Sequence, residues 1–336
     1  DEVYSRCYFV GPLLEPICGA VAREGWRDYH PPMSYTAAAF YRFHPLPTYR
    51  SLQAPLLQAL KDLGARGSVL LAEEGVNGTI AAEDSLIKDA VAAIARLTGV
   101  PELPVKYSPA RDMPFKRMKV RLKKEIVTIG DVPANPNELV GEYVAPADWN
   151  ALIADPDVVV LDTRNDYEFR VGTFRRAIDP GISSFSAFPK WVEAHLHNMK
   201  GKKIATFCTG GIRCEKATSF MRHAGFEHVY HLKGGILKYL EEIAPAESLW
   251  DGACYVFDER VAVGHGLVQA DFTTCHGCLM PVSIEERLSP QYEEGVCCPQ
   301  CADQLSEVQK ASNRERQRQF MLAQQRGTRH LGPVEG

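Results

Sequence analysis

The sequence predicts a multidomain chain that joins an α+β unit to a doubly wound parallel α/β sheet and ends in a small cysteine-rich region. Its 336 residues fit two or three domains. Between residues 36 and 126, apolar residues switch between strand and helix periods in the order β-α-β-β-α-β. Between 140 and 246, continuous apolar runs of strand length alternate with helical segments, the pattern of strands buried on both faces. None of the ten cysteines lies in 19–207 and six fall between 254 and 301, which marks off residues 247–336 as a third region.

An apolar fraction of 45% and a charged fraction of 24% exclude disordered, collagen-like and disulfide-scaffold classes. A net charge of −4 excludes a uniformly basic nucleic-acid binder but leaves room for a local basic face. Clustered cysteines argue for thiol chemistry and a metal site in a reducing, cytoplasmic setting. No run approaches the roughly 18 apolar residues of a membrane span, and no secretory signal is read at the start. Residues 1–35, with Cys7 and Cys18, form an extension to which no role is assigned.

In the first domain (36–126), Ala37–Phe43 is a strand, and Thr48 is the expected cap of a helix carrying Leu52, Leu56, Leu57, Leu60 and Leu63. Ser68–Ala72 is a buried strand, Asn77-Gly78 signals a turn, and Thr79–Ala82 returns. Asp84 is expected to cap a second helix with Ile87, Ala90, Val91, Ile94 and Leu97 on one face, and Val105–Tyr107 starts another strand. The order is that of a ferredoxin-like unit. Then Met118, Val120 and Leu122 alternate with Arg117, Lys119, Arg121 and Lys123, which segregates cations from apolar side chains. From Lys106 to Lys124 there are eight Lys or Arg and one acid. This is a solvated strand face or, as the uneven charge of an acidic chain favours, an RNA phosphate contact made by Lys116, Arg117, Lys119, Arg121 and Lys123.

In the second domain (140–246), Val158–Leu161 and Lys203–Phe207 are buried strands, Ala187–His195 is a helix, and Val229–Leu232 is a strand before a helix to Leu240. The second strand runs into Cys208-Thr209-Gly210-Gly211-Ile212-Arg213, and a helix follows from about Cys214. A cysteine at such a junction is a candidate nucleophile. Backbone N–H groups of Thr209, Gly210, Gly211 and Ile212, with the helix N-terminus, favour its anion, and Arg213 adds a cation at the rim. The alternative is an inert buried cysteine. Cys214 is an inert neighbour or an accessory thiol.

Asp162-x-Arg164, Tyr167-Glu168, Gly172-Thr173-Phe174-x-x-Ala177, the Cys208–Arg213 loop and Leu232-Lys233-Gly234-Gly235 resemble a rhodanese domain. The resemblance implies a persulfide on Cys208 and makes Asp162 and Arg164 accessory candidates. Arg176 stands where rhodanese sequences usually carry glycine, which puts that local turn in question. Together with Glu73–Thr79 (EEGVNGT), Met113–Val120 (MPFKRMKV), Cys208–Lys216 (CTGGIRCEK) and Phe257–Leu267 (FDERVAVGHGL), the chain is similar over about 36–330 to the rhodanese-containing tRNA uridine hydroxylases. That resemblance implies tRNA as partner, dioxygen as co-substrate and 5-hydroxyuridine at the wobble base as product.

In the third region, Cys275-x-x-Cys278 and Cys298-x-x-Cys301 lie 19 residues apart, the spacing of paired knuckles for a structural Zn²⁺. Cys297 could replace Cys298, but the CxxC spacing favours Cys298; the alternative is reduced thiols held by packing. Asp258, Glu259 and Arg260 are a structural ion-pair network or part of a segment folded over the Cys208 loop, in which His265 would be an acid/base candidate. Glu307–Arg329 is a polar helix or tail.

The leading expectation is an oxygen-dependent tRNA uridine hydroxylase in which a flipped uridine meets a thiolate or persulfide at Cys208. Sulfur adds to C6, C5 gains enolate character, dioxygen attacks there, and elimination restores the ring. No flavin, haem or nicotinamide fingerprint is read. A sulfurtransferase moving persulfide sulfur to an acceptor and a non-catalytic RNA-binding adaptor are the competing readings.

Overall fold

The computed structural model describes residues 35–326. Expectations for Cys7, Cys18 and the rest of 1–34, and for the tail from 327 including Arg329, lie outside the described residues.

Alternating side chains build the first sheet from β1 (Tyr35–Phe43), β2 (Arg66–Ala72), β3 (Gly75–Glu83), β4 (Val105–Ala110) and β5 (Met118–Leu122). Its order is β4-β1-β3-β2-β5. β5 runs parallel to β2 and the other pairings are antiparallel, giving a ferredoxin-like sheet with one added edge strand. Ala38, Phe40, Val69, Leu71, Ile80 and Val120 share a core with Leu56 and Leu60 of α1 (Tyr49–Asp62) and Ile94 of α2 (Ile87–Thr98). Their sequence neighbours therefore point to the opposite face. Because Ser68 pairs with Lys119 and Leu70 with Arg121, both cations share that opposite face.

Three local expectations are corrected. The side chain of Thr48 makes no cap bond to α1. Asp84 stands too far ahead of α2, whose N-cap is Leu86, and accepts from the Thr36 hydroxyl at 2.6 Å instead. Asn77-Gly78 lies inside β3; Ala72 pairs with Gly75, so the turn is Glu73-Glu74. Val76 and Ile80, both fully buried, fix a register that the turn preference of an Asn-Gly pair does not override.

The second sheet consists of β6 (Glu142–Val144), β7 (Val158–Asp162), β9 (Lys203–Phe207) and β10 (His228–Leu232), in the order β6-β10-β9-β7 and parallel throughout. Between these strands run α3 (Pro146–Ala154), α4 (Asp166–Val171), the short β8 (Gly172–Phe174), α5 (Phe188–His195) and α6 (Ile212–His223), and α7 (Gly235–Glu242) follows β10. The helix expected from Ala187 starts at Phe188, after a 3-10 turn over Phe185–Ala187. β9 is buried on both faces: Ile204 packs with Leu161, Phe188 and Met221, while Ala205 and Phe207 pack with Trp149, Val160 and Phe174. Phe174 meets Phe207, Tyr239 and Trp250 edge-on at centroid distances of 4.9, 4.8 and 5.0 Å.

Arg176 has φ of 66°, the left-handed conformation that a glycine would take without strain. Its guanidinium donates to the carbonyls of Ile153, Ala154, Asp155 and Pro156 at the end of α3, which offsets the strain and satisfies carbonyls left over by the helix.

After α7, β11 (Trp250–Gly252) pairs with β8, and β12 (Cys254–Tyr255) pairs with β13 (Ala262–Val263). The cysteine-rich region contains β14 (Thr273–Thr274), β15 (Pro281–Val282), α8 (Ile284–Arg287) and α9 (Glu307–Gln325). Ser306 and Gln309 form a capping box that starts α9, a polar helix with only Ala323 buried. No helix among the described residues is long and apolar enough to cross a membrane.

Candidate functional site

β9 ends at Phe207 and the chain enters Cys208-Thr209-Gly210-Gly211 before α6 begins. Gly211 has φ of 105°, and its N–H donates to Cys208 Sγ at 3.1 Å. The Cys208 and Thr209 carbonyls accept from the N–H groups of Ile236 and Leu237 at 3.0 and 3.1 Å, so α7 clamps the loop from behind. Gly235 makes this approach feasible, because a Cβ there would stand 2.5 Å from the Cys208 carbonyl oxygen.

Burial pushes the Cys208 thiol up. The Cys214 thiol, the Arg213 charge and the backbone N–H groups of Cys214 and Gly211 outweigh it and bring the thiol down to about 6. Burial and the nearby Cys208 sulfur hold Cys214 well above its ordinary value, so it stays protonated and serves as a hydrogen-bond donor. Its sulfur also lies 3.5 Å from the Thr163 hydroxyl.

Arg213 is not a free rim cation. It is 8% exposed, and its two terminal nitrogens donate to Glu168 at 2.6 and 2.8 Å. The Thr209 hydroxyl also donates to Glu168, at 3.2 Å. Glu168 thus anchors both Thr209 and Arg213 of the loop, a role that the Tyr167-Glu168 pair does not reveal in the sequence. Asp162 and Arg164 form a fully buried ion pair, with Arg164 also donating to the Gly172 carbonyl at 2.6 Å. Neither lines the cavity described next.

Between the open face of the first sheet and the Cys208 loop lies a cavity of about 600 Å³, within the range that holds a small ligand. Ala39, Tyr41, Thr79 and Lys106 line it from the sheet, and Thr209, Gly210, Ile212 and Arg213 from the loop. The Cys208 sulfur lies beneath these loop residues, fully buried.

The Phe257–Leu267 segment contains a buried ion pair and forms part of the cavity wall. Asp258 and Arg260 form a buried pair at 2.6 Å, and Arg260 also bonds Ser108 of β4. Val256, Phe257, Asp258, Arg260 and Val263 line the cavity. His265 is not brought to the loop: its Nδ1 lies 3.1 Å from the Ile243 carbonyl oxygen and it does not line the cavity.

Among the cations singled out on β5 and its flanks, Lys123 is exposed and lines the cavity, while Lys119 and Arg121 extend the same sheet face outward. Arg117 is exposed just ahead of β5. Lys116 makes an exposed ion pair with Glu259 at 3.8 Å.

Three further contacts join the first domain to the loop and to α6. Lys106 Nζ donates to the Gly210 carbonyl at 3.0 Å. Tyr41 donates to Glu215 at 2.7 Å. Lys216, 2% exposed, pairs with Glu74 at 2.8 Å and with Glu125, tying α6 to the first sheet's β2–β3 turn. In the sequence Lys106 stood out only as the first cation of the Lys106–Lys124 basic run.

The sulfurs of Cys275, Cys278, Cys298 and Cys301 all lie within 4.8 Å of one another. Three of the separations are 3.8, 3.7 and 3.9 Å. A tetrahedron with metal–sulfur bonds of about 2.3 Å has edges of roughly 3.8 Å, so the four thiols fit a four-coordinate metal. Cys297 is outside the set, its thiol donating to the Gln291 carbonyl at 3.5 Å.

Residues 35–126 match the family model of a UPF0176 acylphosphatase like domain, and residues 145–242 that of a rhodanese-like domain. The chain is 52% identical over 301 residues to a protein of Brucella anthropi named tRNA uridine(34) hydroxylase, covering 89% of this chain and 99% of that one. A protein of the same name from Brucella suis biovar 1 is 52% identical over 305 residues, covering 90% and 99%.

Proposed function

The chain belongs to the tRNA uridine(34) hydroxylase family, and from that membership we propose that it hydroxylates the wobble uridine of tRNA at C5, with Cys208 engaging the base. The observation that carries the reading is the cavity: it joins the anion-stabilising Cys208 loop to a sheet face whose outer strand bears Lys119 and Arg121. Phosphates on that strand and a flipped base in the cavity fit one substrate.

In this reading the first domain (36–126) contacts RNA, the second (140–246) supplies the reactive sulfur, and the third (247–336) is a structural clamp. The Gly211 N–H and the Cys214 thiol favour the anion of the Cys208 sulfur. A persulfide places its outer sulfur about 2 Å beyond Sγ, which supports a persulfide over the buried thiolate as the species meeting the base. Sulfur adds to C6, and the electron pair of C5=C6 moves toward C5 and O4. Dioxygen supplies the new hydroxyl oxygen, while two external electrons and two protons take its second oxygen to water. Loss of sulfur restores the ring.

Cys275, Cys278, Cys298 and Cys301 would hold a structural Zn²⁺; four protein ligands leave no open position for substrate. A tRNA substrate supports a cytoplasmic enzyme.

The test is nucleoside mass spectrometry of tRNA exposed to the wild type and to Cys208→Ser under ¹⁸O₂. Labelled 5-hydroxyuridine is expected from the wild type alone. Equal labelling by the mutant would sink the role of Cys208, and thiosulfate turnover without labelled nucleoside would favour a plain sulfurtransferase.

A further inference from the structure

We propose that Lys106 is a catalytic residue, which donates a hydrogen bond to O4 of the uracil and holds the enolate charge formed when the sulfur carried by Cys208 adds to C6. The inference rests on the hydroxylase reading and names the group that makes its first step feasible.

The geometry singles out this cation. Arg213 and Arg260 also line the cavity, but their guanidinium groups are committed to Glu168 and Asp258. Lys123 is exposed to solvent. Lys106 is half-buried, and among the described residues it makes no ion pair; its single hydrogen bond goes to the Gly210 carbonyl at 3.0 Å. An ammonium has three N–H donors, so two remain for a ligand. The side chain is fixed at both sides, by Gly210 and by the Tyr41 ring, whose centroid lies 5.9 Å from Nζ. A cation held in place inside a cavity, with donors to spare, is a preorganised anion site.

The position also suits the chemistry. Lys106 comes from β4, pairs in register with Ala39, and Ala39 pairs with Thr79, so the sheet beside it carries small side chains. Gly210, its partner, belongs to the loop that covers the reactive sulfur. The loop wall therefore holds the nucleophile, and the cation reaches that loop from the sheet wall, so a base in the cavity can meet both.

The step balances without an oxidant. A sulfur lone pair forms the S–C6 bond, the C5=C6 π bond breaks, and its pair passes through C4 onto O4, where Lys106 donates a hydrogen bond. A solvent proton can add at C5. Loss of either C5 proton and departure of sulfur regenerate uridine. With dioxygen absent, the cycle exchanges the C5 hydrogen with solvent.

Burial lowers Lys106 to about 8. The charged groups around it are Cys208, Glu215 of α6, and Lys238 and Glu241 of α7, with the Tyr41 hydroxyl on β1. The cation is lost as pH rises through that value, so the exchange rate should fall there.

The experiment incubates substrate tRNA with the full-length protein in D₂O without oxygen and reads deuterium at C5 of the wobble uridine by mass spectrometry, alongside 5-hydroxyuridine formation in air. Exchange is expected from the wild type, none from Cys208→Ser, and a rate about 100-fold lower from Lys106→Met. Lys106→Arg should restore part of the rate and abolish its fall above pH ~8, because a guanidinium does not titrate there. That pH response separates catalysis from a merely structural contact with Gly210. A wild type that hydroxylates but does not exchange, or Lys106→Met exchanging at the wild-type rate, overturns the role of Lys106. A wild type that makes no 5-hydroxyuridine overturns the hydroxylase reading itself.

Discussion

Lys216 Nζ lies 2.8 Å from Glu74, an ion pair that joins the helix behind the Cys208 loop to the turn between the first sheet's central strands. Glu125 completes the pairing from the far end of that domain. The cavity exists because these two bodies meet, so the pair should carry stability. Lys216→Met would leave two carboxylates facing each other across the junction. Both keep about a fifth of their surface (23% and 21%), so the loss should fall below that of a fully buried pair. An expected cost is about 2–3 kcal/mol in urea denaturation. A cost under about 0.5 kcal/mol, the level of an exposed substitution, would show that the pair does not hold the junction.

Glu168 and Arg213 test the floor of the site. Burial pushes the Glu168 carboxyl up, but the Arg213 charge and its hydrogen bonds hold it below the ordinary 4.5. A depressed carboxylate stabilises the fold above its unfolded value, and that contribution is lost as pH falls through the lower folded value. Glu168→Gln should cost about 3–5 kcal/mol at neutral pH, since it leaves Arg213 as an unpaired buried charge. The wild type's loss of stability below about pH 5 should be shallower in this variant. Equal acid slopes in the two proteins would remove Glu168 from this account.

The Cys208 thiol should titrate near about 6, so its alkylation by iodoacetamide should rise with pH through that point. The peptide carrying Cys208 must be followed by mass spectrometry, because other cysteines react in the ordinary thiol range near 8.5. In Cys214→Ala the largest of the contributions that lower the thiol is gone, and the midpoint should move up toward that range. An unmoved midpoint would assign Cys214 to packing alone.

The strand-to-loop-to-helix setting of Cys208 was legible in the sequence because every part of it is local: a buried strand, two glycines and a helix within a dozen residues. The paired CxxC motifs were legible for the same reason. Lys106 was not, since its partner Gly210 is 104 positions away, and Tyr41 lies 174 positions from Glu215. Such contacts depend on which face of a sheet meets which loop, and neither composition nor period states that. Asn77-Gly78 shows the reverse case. Its turn preference is a real local signal, yet the buried register of Val76 and Ile80 keeps it in a strand, where Asn77 instead donates to the Ile126 carbonyl at 2.9 Å.

The basic strand gives a prediction in salt. Replacing Arg117, Lys119, Arg121 and Lys123 by glutamine should weaken tRNA binding and lower the slope of log affinity against log salt by up to about 3, if each contacts a phosphate. Lys119 and Arg121 carry their charge on the sheet face that the cavity opens onto, so they should account for most of the change. The Cys208 alkylation profile should stay as in the wild type, which would show an intact loop. An unchanged salt slope would mark the strand as a solvated face.

The cysteine cluster separates adjacent residues that sequence spacing alone could not fully distinguish. Cys298 and Cys297 are neighbours, but only Cys298 has its sulfur within tetrahedral distance of the others, 3.7 Å from Cys278 and 3.9 Å from Cys301. Cys297 points its thiol at the Gln291 carbonyl. Purified protein should therefore carry about one zinc per chain, held by four thiolates as in closed structural sites. Cys298→Ser should lose that zinc and lower the thermal midpoint, because metal binding in such a small region contributes directly to its folding. Cys297→Ser should keep both the zinc and the midpoint. Zinc loss from Cys297→Ser with retention in Cys298→Ser would exchange the two ligands. Metal-free protein with an unchanged midpoint in both variants would leave four reduced thiols held by the packing of Val282 and Val296 around them.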